Sequence, residues 1–377
     1  MSASPATKRA RPRLKNLHLT LRYEDDLKVF RSRWSRAGIA AVIVIAFLLP
    51  LSIRSDFWLG VLTLGGIYAI GALGLNLLTG YTGQVSLGHA VFLGVGAYSA
   101  LWFGSHQGLP LVVWLPAAAV VGGSLGAIVG PFALRLRGNY LAVVSLGLVF
   151  LGQHVFKNWR SLTGGPGGTR VKVPLALGPL HFDRLTIGQT QYTRIQSFCL
   201  LTFVLLMVCA VLAKNIVRSR PGRAMQAVRD RDIAAEVVGV SLFRTKVGAF
   251  VVSSAMAAVA GALFAASQQF VAPDTWNLLL SIQFIAMIIV GGVGTVFGSI
   301  VGAFVIVLVP QVIDTYSRSI PFVVKGSTAH GFHLTVAQAN ELLYGLLIVV
   351  FLILEPRGLA ALWLRLKAYF RAWPYSY

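Results

Sequence analysis

Charge is what this chain has least of. Asp, Glu, Lys and Arg make up 12% of its 377 residues, against roughly a quarter in a soluble domain. Acids are the scarcest, 12 against 33 Lys and Arg, and nearly all of them lie in the gaps between apolar runs or at the ends of those runs. Cysteine is confined to Cys199 and Cys209, both in one apolar segment. Ten helical residues separate them by about 15 Å, too far for a disulfide, so both read as packing residues. No His-x-x-x-His and no Cys–His cluster occurs, so the convergent groups of a metal or thiol enzyme are missing. No Gly-x-x-x-x-Gly-Lys-Ser/Thr is present either, and the chain is not expected to hydrolyse ATP alone. No metal site and no cofactor is expected.

What is present is apolar length. Hydrophobic residues reach 56% and the mean hydropathy is +0.73. Lys and Arg fall in gaps between runs about as long as a bilayer is thick. Such runs must be helical, because in lipid only a helix or a closed barrel satisfies its own backbone, and these runs do not alternate as barrel strands do. The expected fold class is therefore an all-α polytopic membrane protein. About ten spans are expected, at 37–53, 57–79, 85–103, 110–134, 139–156, 196–213, 247–268, 278–291, 296–313 and 339–354.

The charge distribution orients them. With alternating spans and a cytoplasmic start, 24 Lys and Arg lie inside and nine outside, the bias expected of cytoplasmic loops. The inside set comprises ten in residues 1–36, Arg135 and Arg137, eight from Lys214 to Lys246, and four after Glu355. Residues 1–36 read as a retained basic cytoplasmic tail, too charged for a signal peptide and suited to acidic phospholipid, not nucleic acid. Residues 37–356 form the membrane domain, with a cytoplasmic loop at about 214–246 and a long external loop at about 157–195. Residues 357–377 form a second basic cytoplasmic tail. The external loop carries more positive charge than the rule favours.

Two pairs of spans are joined by charge-free glycine turns, Thr79-Gly80-Tyr81-Thr82-Gly83-Gln84 and Gly291-Gly292-Val293-Gly294. Gly-interrupted segments mark transport paths or tight hairpins. Polarity within otherwise apolar spans picks out Asn76, Gln84, Ser86, His89 and Gln283 as path-facing candidates, although such groups equally serve as hydrogen-bond partners between helices. Gly122, Gly126 and Gly130, and again Gly294, Gly298 and Gly302, have the spacing that lets helices pack closely.

The 214–246 loop has its own design. Pro221 suits the first turn of a helix. Asp230 or Asp232 caps a second one, which Gly239 ends. Ile233 and Val237, with Ala234 and Val238 beside them, form an apolar stripe among charges, a face suited to docking in a partner's groove.

Within this loop, Gly222-Arg223-Ala224-Met225, Ala235-Glu236-Val237-Val238-Gly239-Val240 and Lys246 resemble the cytoplasmic loop of ABC-importer permeases. Three further runs resemble the branched-chain amino-acid permease family: Leu75 to Ala90, Leu134 to Ala142 and Gly291 to Thr295. The resemblance covers about residues 57–357. It implies the permease subunit of an ATP-driven importer in a bacterial inner membrane, with both termini cytoplasmic. A second related permease would complete the pore, an external binding protein would deliver cargo, and two ATP-binding subunits would dock on the loop. Gly222, Arg223, Arg229, Asp232, Ala235, Glu236 and Gly239 are the coupling residues so implied. Leucine, isoleucine and valine are the implied cargo, with urea or short amides as alternatives. A secondary transporter of hydrophobic amino acids is the other class. It would bury ionisable relay groups, and none lies deep in any span.

Overall fold

The computed structural model describes residues 48–133, 140–177, 180–182, 186–187, 190–316, 323–324, 334–355 and 358–372. The basic tail 1–36, most of the expected first span, Arg135, Arg137 and the 134–139 stretch lie outside these residues. The described helices are α1 (Asp56–Leu75), α2 (His89–Ser99), α3 (Leu111–Ala133), α4 (Tyr140–Asn158), α5 (Arg194–Arg218), α6 (Arg220–Asp230), α7 (Asp232–Val237), α8 (Leu242–Gln268), α9 (Leu278–Gly291), α10 (Val296–Tyr316), α11 (Val336–Leu354) and α12 (Gly358–Ala372). The chain is an all-α polytopic membrane protein, and each span expected from 57–79 onward has its helix. Among the described residues, five helices are long and apolar enough to cross a membrane by length and composition. The pair α11 and α12, bent by 44°, makes a sixth if taken as one span. Broken helices account for part of the difference from ten. α2 runs only 11 residues before it loosens into a π-turn at Ala100–His106.

Two helices form the centre. α1 packs against α5, α8 and α10, and α8 packs against α1, α2 and α3. α1 is 83% buried over its apolar stretch, whereas α3 is 33% buried and leaves Val112, Val120, Ile128 and Phe132 exposed. An apolar face without protein cover on a membrane helix faces lipid. The sequence of α8 explains its central place, since Ser253 to Ala266 is mostly Ala, Ser and Gly. Small side chains let neighbouring backbones come close, which substitutes for a hydrophobic drive that lipid cannot supply. A Cβ on Gly261 would overlap the Leu93 carbonyl of α2. The Gly122, Gly126 and Gly130 row of α3 lies on Ala258, Ser254 and Phe250 of α8, so it serves packing as its spacing predicts. Cys199 and Cys209 are free thiols on α5.

The described parts of the 157–195 loop cover the end of α8. Thr169–Arg170 pairs antiparallel with Phe270–Val271, and the Trp114 indole N–H donates to the Pro174 carbonyl at 3.1 Å. Lys157 forms an ion pair with Asp274 at 2.6 Å, so part of this loop's positive charge is matched locally.

Gly261→Leu is expected to destabilise the protein by about 1–3 kcal/mol or more, the scale of overpacking. Gly248→Ala, on the same helix with nothing within 4 Å of the new methyl, is expected to be neutral or to add about 0.5–1 kcal/mol. Thermal unfolding of the two variants in detergent checks the contrast.

Candidate functional site

The break between α1 and α2 comes first, because non-helical backbone among membrane helices must find partners in the protein. α1 loosens into a π-turn at Asn76–Gly80, and the chain then runs without regular structure to His89. Side chains make good the missing ladder. The Thr79 hydroxyl donates to the Gln84 carbonyl at 3.0 Å and the Thr82 hydroxyl to the Leu77 carbonyl at 2.9 Å. The Leu87 N–H donates to Ser145 Oγ of α4 at 2.9 Å, and the Ala90 N–H to Ser281 Oγ of α9 at 3.0 Å. Gly88 N–H donates to Ser86 Oγ at 3.3 Å.

Asn76 joins this break to the second glycine turn. Its Nδ2 donates to the Thr295 carbonyl at 3.0 Å, and its Oδ1 accepts from the Gly294 N–H at 2.8 Å. One buried amide thus satisfies a donor and an acceptor of a turn far away in sequence. The turn itself requires glycine, because Gly292 and Gly294 have φ of 119° and 81°, values that a residue with a side chain rarely adopts. Gly80 lies against Asn76 and the Gly294 N–H, leaving no room for a Cβ.

The 214–246 loop meets this junction. Ser219 precedes α6, with Pro221 in its first turn. A Cβ on Gly222 would strike the carbonyls of Ile216 and Val217, so α6 folds tightly back on the end of α5. Arg229, near the end of α6, donates from Nη1 to the Gly80 carbonyl. Its stem lies within 4 Å of where a Cβ on Gly83 would project, and Nη1 lies 2.7 Å from the corresponding Gly294 position. The same guanidinium acts on the neighbouring Tyr81 phenol. Burial raises that phenol above its ordinary value, and the Arg229 charge pulls it back. Arg229 therefore bridges the loop to both glycine turns.

Beyond it, α7 begins with Asp232, and Arg231, not Asp230 or Asp232, holds the cap position without a side-chain cap, because the Asp232 carboxylate accepts only from the adjacent Ile233 N–H, at 2.9 Å. The helix ends where Gly239 takes φ 89° and the Val240 N–H returns to the Ala235 carbonyl at 2.9 Å. Ala235 is buried, but Ile233, Val237 and Val238 are 75%, 83% and 78% exposed. This apolar stripe is the one the spacing predicts. Glu236 lies exposed beside it, and exposed Arg223 donates to the Arg218 carbonyl at 3.0 Å.

The path candidates separate by what they touch. Asn76, Ser86 and His89 are engaged in the fold, the last through Nε2 and the Gly71 carbonyl at 3.0 Å and edge-on to Phe284. Gln84 is 5% exposed, yet neither atom of its side-chain amide has a partner among the described residues. Gln283 is half-buried on α9. The sequence reading did not single out Gly80, Gly294 or Thr295 as one junction, since nothing local marks their proximity. The run Gly122-Gly123-Ser124-Leu125-Gly126 has the spacing of a hydrolase nucleophile elbow, but it lies inside α3 and not on the strand-to-helix turn which that chemistry needs.

Comparison with known proteins agrees with this architecture. Residues 57–352 match the family described as the branched-chain amino acid transport system / permease component. The high-affinity branched-chain amino acid transport system permease protein LivM of Salmonella typhimurium is 30% identical over 85% of this chain and 74% of its own length. LivH of Escherichia coli is 24% identical over 67% of this chain and 84% of its own. The autoinducer 2 import system permease protein LsrC of an Enterobacter species is 28% identical over 66% of this chain and 61% of its own. No solved structure matches significantly. With its family model spanning α1 to α11, this chain belongs to the branched-chain amino acid transport permeases.

Proposed function

We propose that this chain is the membrane-spanning subunit of an ATP-driven importer for branched-chain amino acids. It pairs with a second, related permease, receives cargo from an external binding protein and is moved by two ATP-binding subunits. The observation that carries the reading is the exposed Ile233, Val237 and Val238 stripe on α7, set on a loop anchored to the membrane helices. An apolar face of this size costs free energy in water and gains it in a partner's groove, at about 25 cal/mol per Å². The named relatives include two kinds of permease from one kind of transport system, LivM and LivH, which supports a pore of two related subunits.

In this reading α7 is the docking helix and Arg229 the tie-rod behind it. Motion of a docked ATPase displaces α6 and α7 together, and the bond from Arg229 to the Gly80 carbonyl passes that displacement to the end of α1. The glycine turns suit this role because their backbones lie open to the guanidinium. The excess of Lys and Arg in alternate loops supports an orientation with the ATPases, and both termini, inside the cell.

Ile233→Asp with Val237→Asp is expected to abolish copurification of the ATP-binding subunits while the permease still reaches the membrane. Arg223→Glu and Glu236→Ala, at exposed positions beside the stripe, are expected to lower uptake at normal expression. Arg229→Ala is expected to keep the complex assembled but cut uptake per ATP hydrolysed five- to hundredfold, the range of ordinary coupling energies. Wild-type coupling in that variant would remove the tie-rod. A cysteine placed at Asp230, which is exposed, should escape a membrane-impermeant thiol reagent in sealed cells; ready labelling would reverse the orientation.

A further inference from the structure

α1, α5, α8 and α10 each have one end toward the coupling loop and the glycine turns. Their opposite ends line a half-open cavity of about 460 Å³, within the roughly 300–1,000 Å³ of small-molecule sites. The wall is chemically divided. Asp56 in the first turn of α1 and Arg194 in the first turn of α5 supply opposite charges, while Val61, Leu64 and Phe198 supply apolar surface.

The rim also holds a strained residue. Gln269 has φ 56° and is the only non-glycine residue with positive φ among the described residues. Such strain persists where the surroundings over-determine it, and it concentrates at functional sites. Here the Gln269 N–H donates to the Ala265 carbonyl and its carbonyl accepts from the Val171 N–H, both at 2.9 Å. In the amide orientation that satisfies both groups, its side-chain oxygen accepts from both Arg194 Nη atoms. The guanidinium is thereby braced at the mouth of the cavity. Asp56, across the same cavity, has no ion-pair partner among the described residues.

A braced guanidinium, a carboxylate and an apolar wall in one cavity are the complement of a zwitterion with an aliphatic side chain. We propose that this cavity receives the free amino acid on its way into the pore, with the cargo carboxylate on Arg194, its ammonium on Asp56 and its side chain against Val61, Leu64 and Phe198. Charge-assisted bonds of this kind are the strong ones, and a carboxylate on guanidinium gains bidentate geometry that a point charge lacks. The site rests on the permease reading and adds to it an address for the cargo within the bundle. Its position at the end remote from the coupling loop is where cargo from an external donor first meets the bundle.

The test uses the complete importer in proteoliposomes with excess leucine-loaded binding protein, so that delivery is not limiting. Radiolabelled leucine uptake is read per ATP hydrolysed, and assembly is read by size exclusion. Gly60 lines the cavity with nothing within 4 Å of an added Cβ, so Gly60→Phe adds bulk where the first new atom has open space, and Gly248→Ala, outside the cavity lining, is its control. Arg194→Gln and Asp56→Asn are each expected to lower uptake at least about tenfold, the loss of one charge-assisted contact, and Gly60→Phe is expected to lower it by obstructing the cavity, with assembly and ATP hydrolysis retained and Gly248→Ala unchanged. Wild-type uptake in all three variants overturns the cavity and leaves the permease reading standing. Loss of uptake together with assembly in all three overturns it too, because that marks a structural role. A wild-type complex that moves no leucine with ATP overturns the reading beneath.

Discussion

The structure depends on satisfying backbone polar groups where membrane helices break. Water is absent from the hydrocarbon core, and each unpaired N–H or C=O left there costs several kcal/mol. The chain interrupts its helices twice near the 214–246 loop, at 76–88 and at 292–295, and each interruption draws on side chains from elsewhere. Asn76 serves the second from within the first. Ser145 and Ser281 serve the first from α4 and α9. The two turns are therefore held together, and the surface they jointly present is a fixed seat for Arg229.

That seat gives a mechanical meaning to the rest of the fold. The small residues of α8 let α1, α2 and α3 pack with little space between backbones, and close-packed interiors transmit displacement instead of absorbing it. The proposed reception cavity and the proposed coupling junction lie at opposite ends of the same helices. A shift imposed at Gly80 has a direct route along α1 toward Asp56. Under the proposed function, the distance between ATP hydrolysis and cargo is bridged by rigid helices that have one end in each site.

Much of this was legible in the residues. The helix positions followed from apolar length, since a span is recognised by composition over about 20 residues. The α6 and α7 boundaries followed from Pro221 and Gly239, whose backbone preferences act locally. The exposed stripe on α7 followed from 3.6-residue spacing. Asn76 was harder to read, because polarity within an apolar span is the same signal for a pore contact and for a hydrogen bond to a distant turn. Arg229 stood among charges suited to meeting a partner, and its place on the membrane side of the loop depends on two glycine turns lying beneath it. The charged rim of the proposed cavity was not seen at all. Asp56 and Arg194 each stand alone at the start of a different span, and nothing near either one points to the other.

By itself the sequence determined the class of protein and the list of its parts: apolar helices, basic linkers, charge-free glycine turns and an amphipathic helix between two spans. These are consequences of residue preferences that act over a few turns of chain. Only the tertiary structure decided which polar groups meet, because the partners are remote. Asn76 and Gly294 are 218 residues apart and Arg229 and Gly80 are 149 apart. A hydrogen bond acts over about 3 Å, so its existence rests on how whole helices pack and leaves no trace in the local pattern at either end.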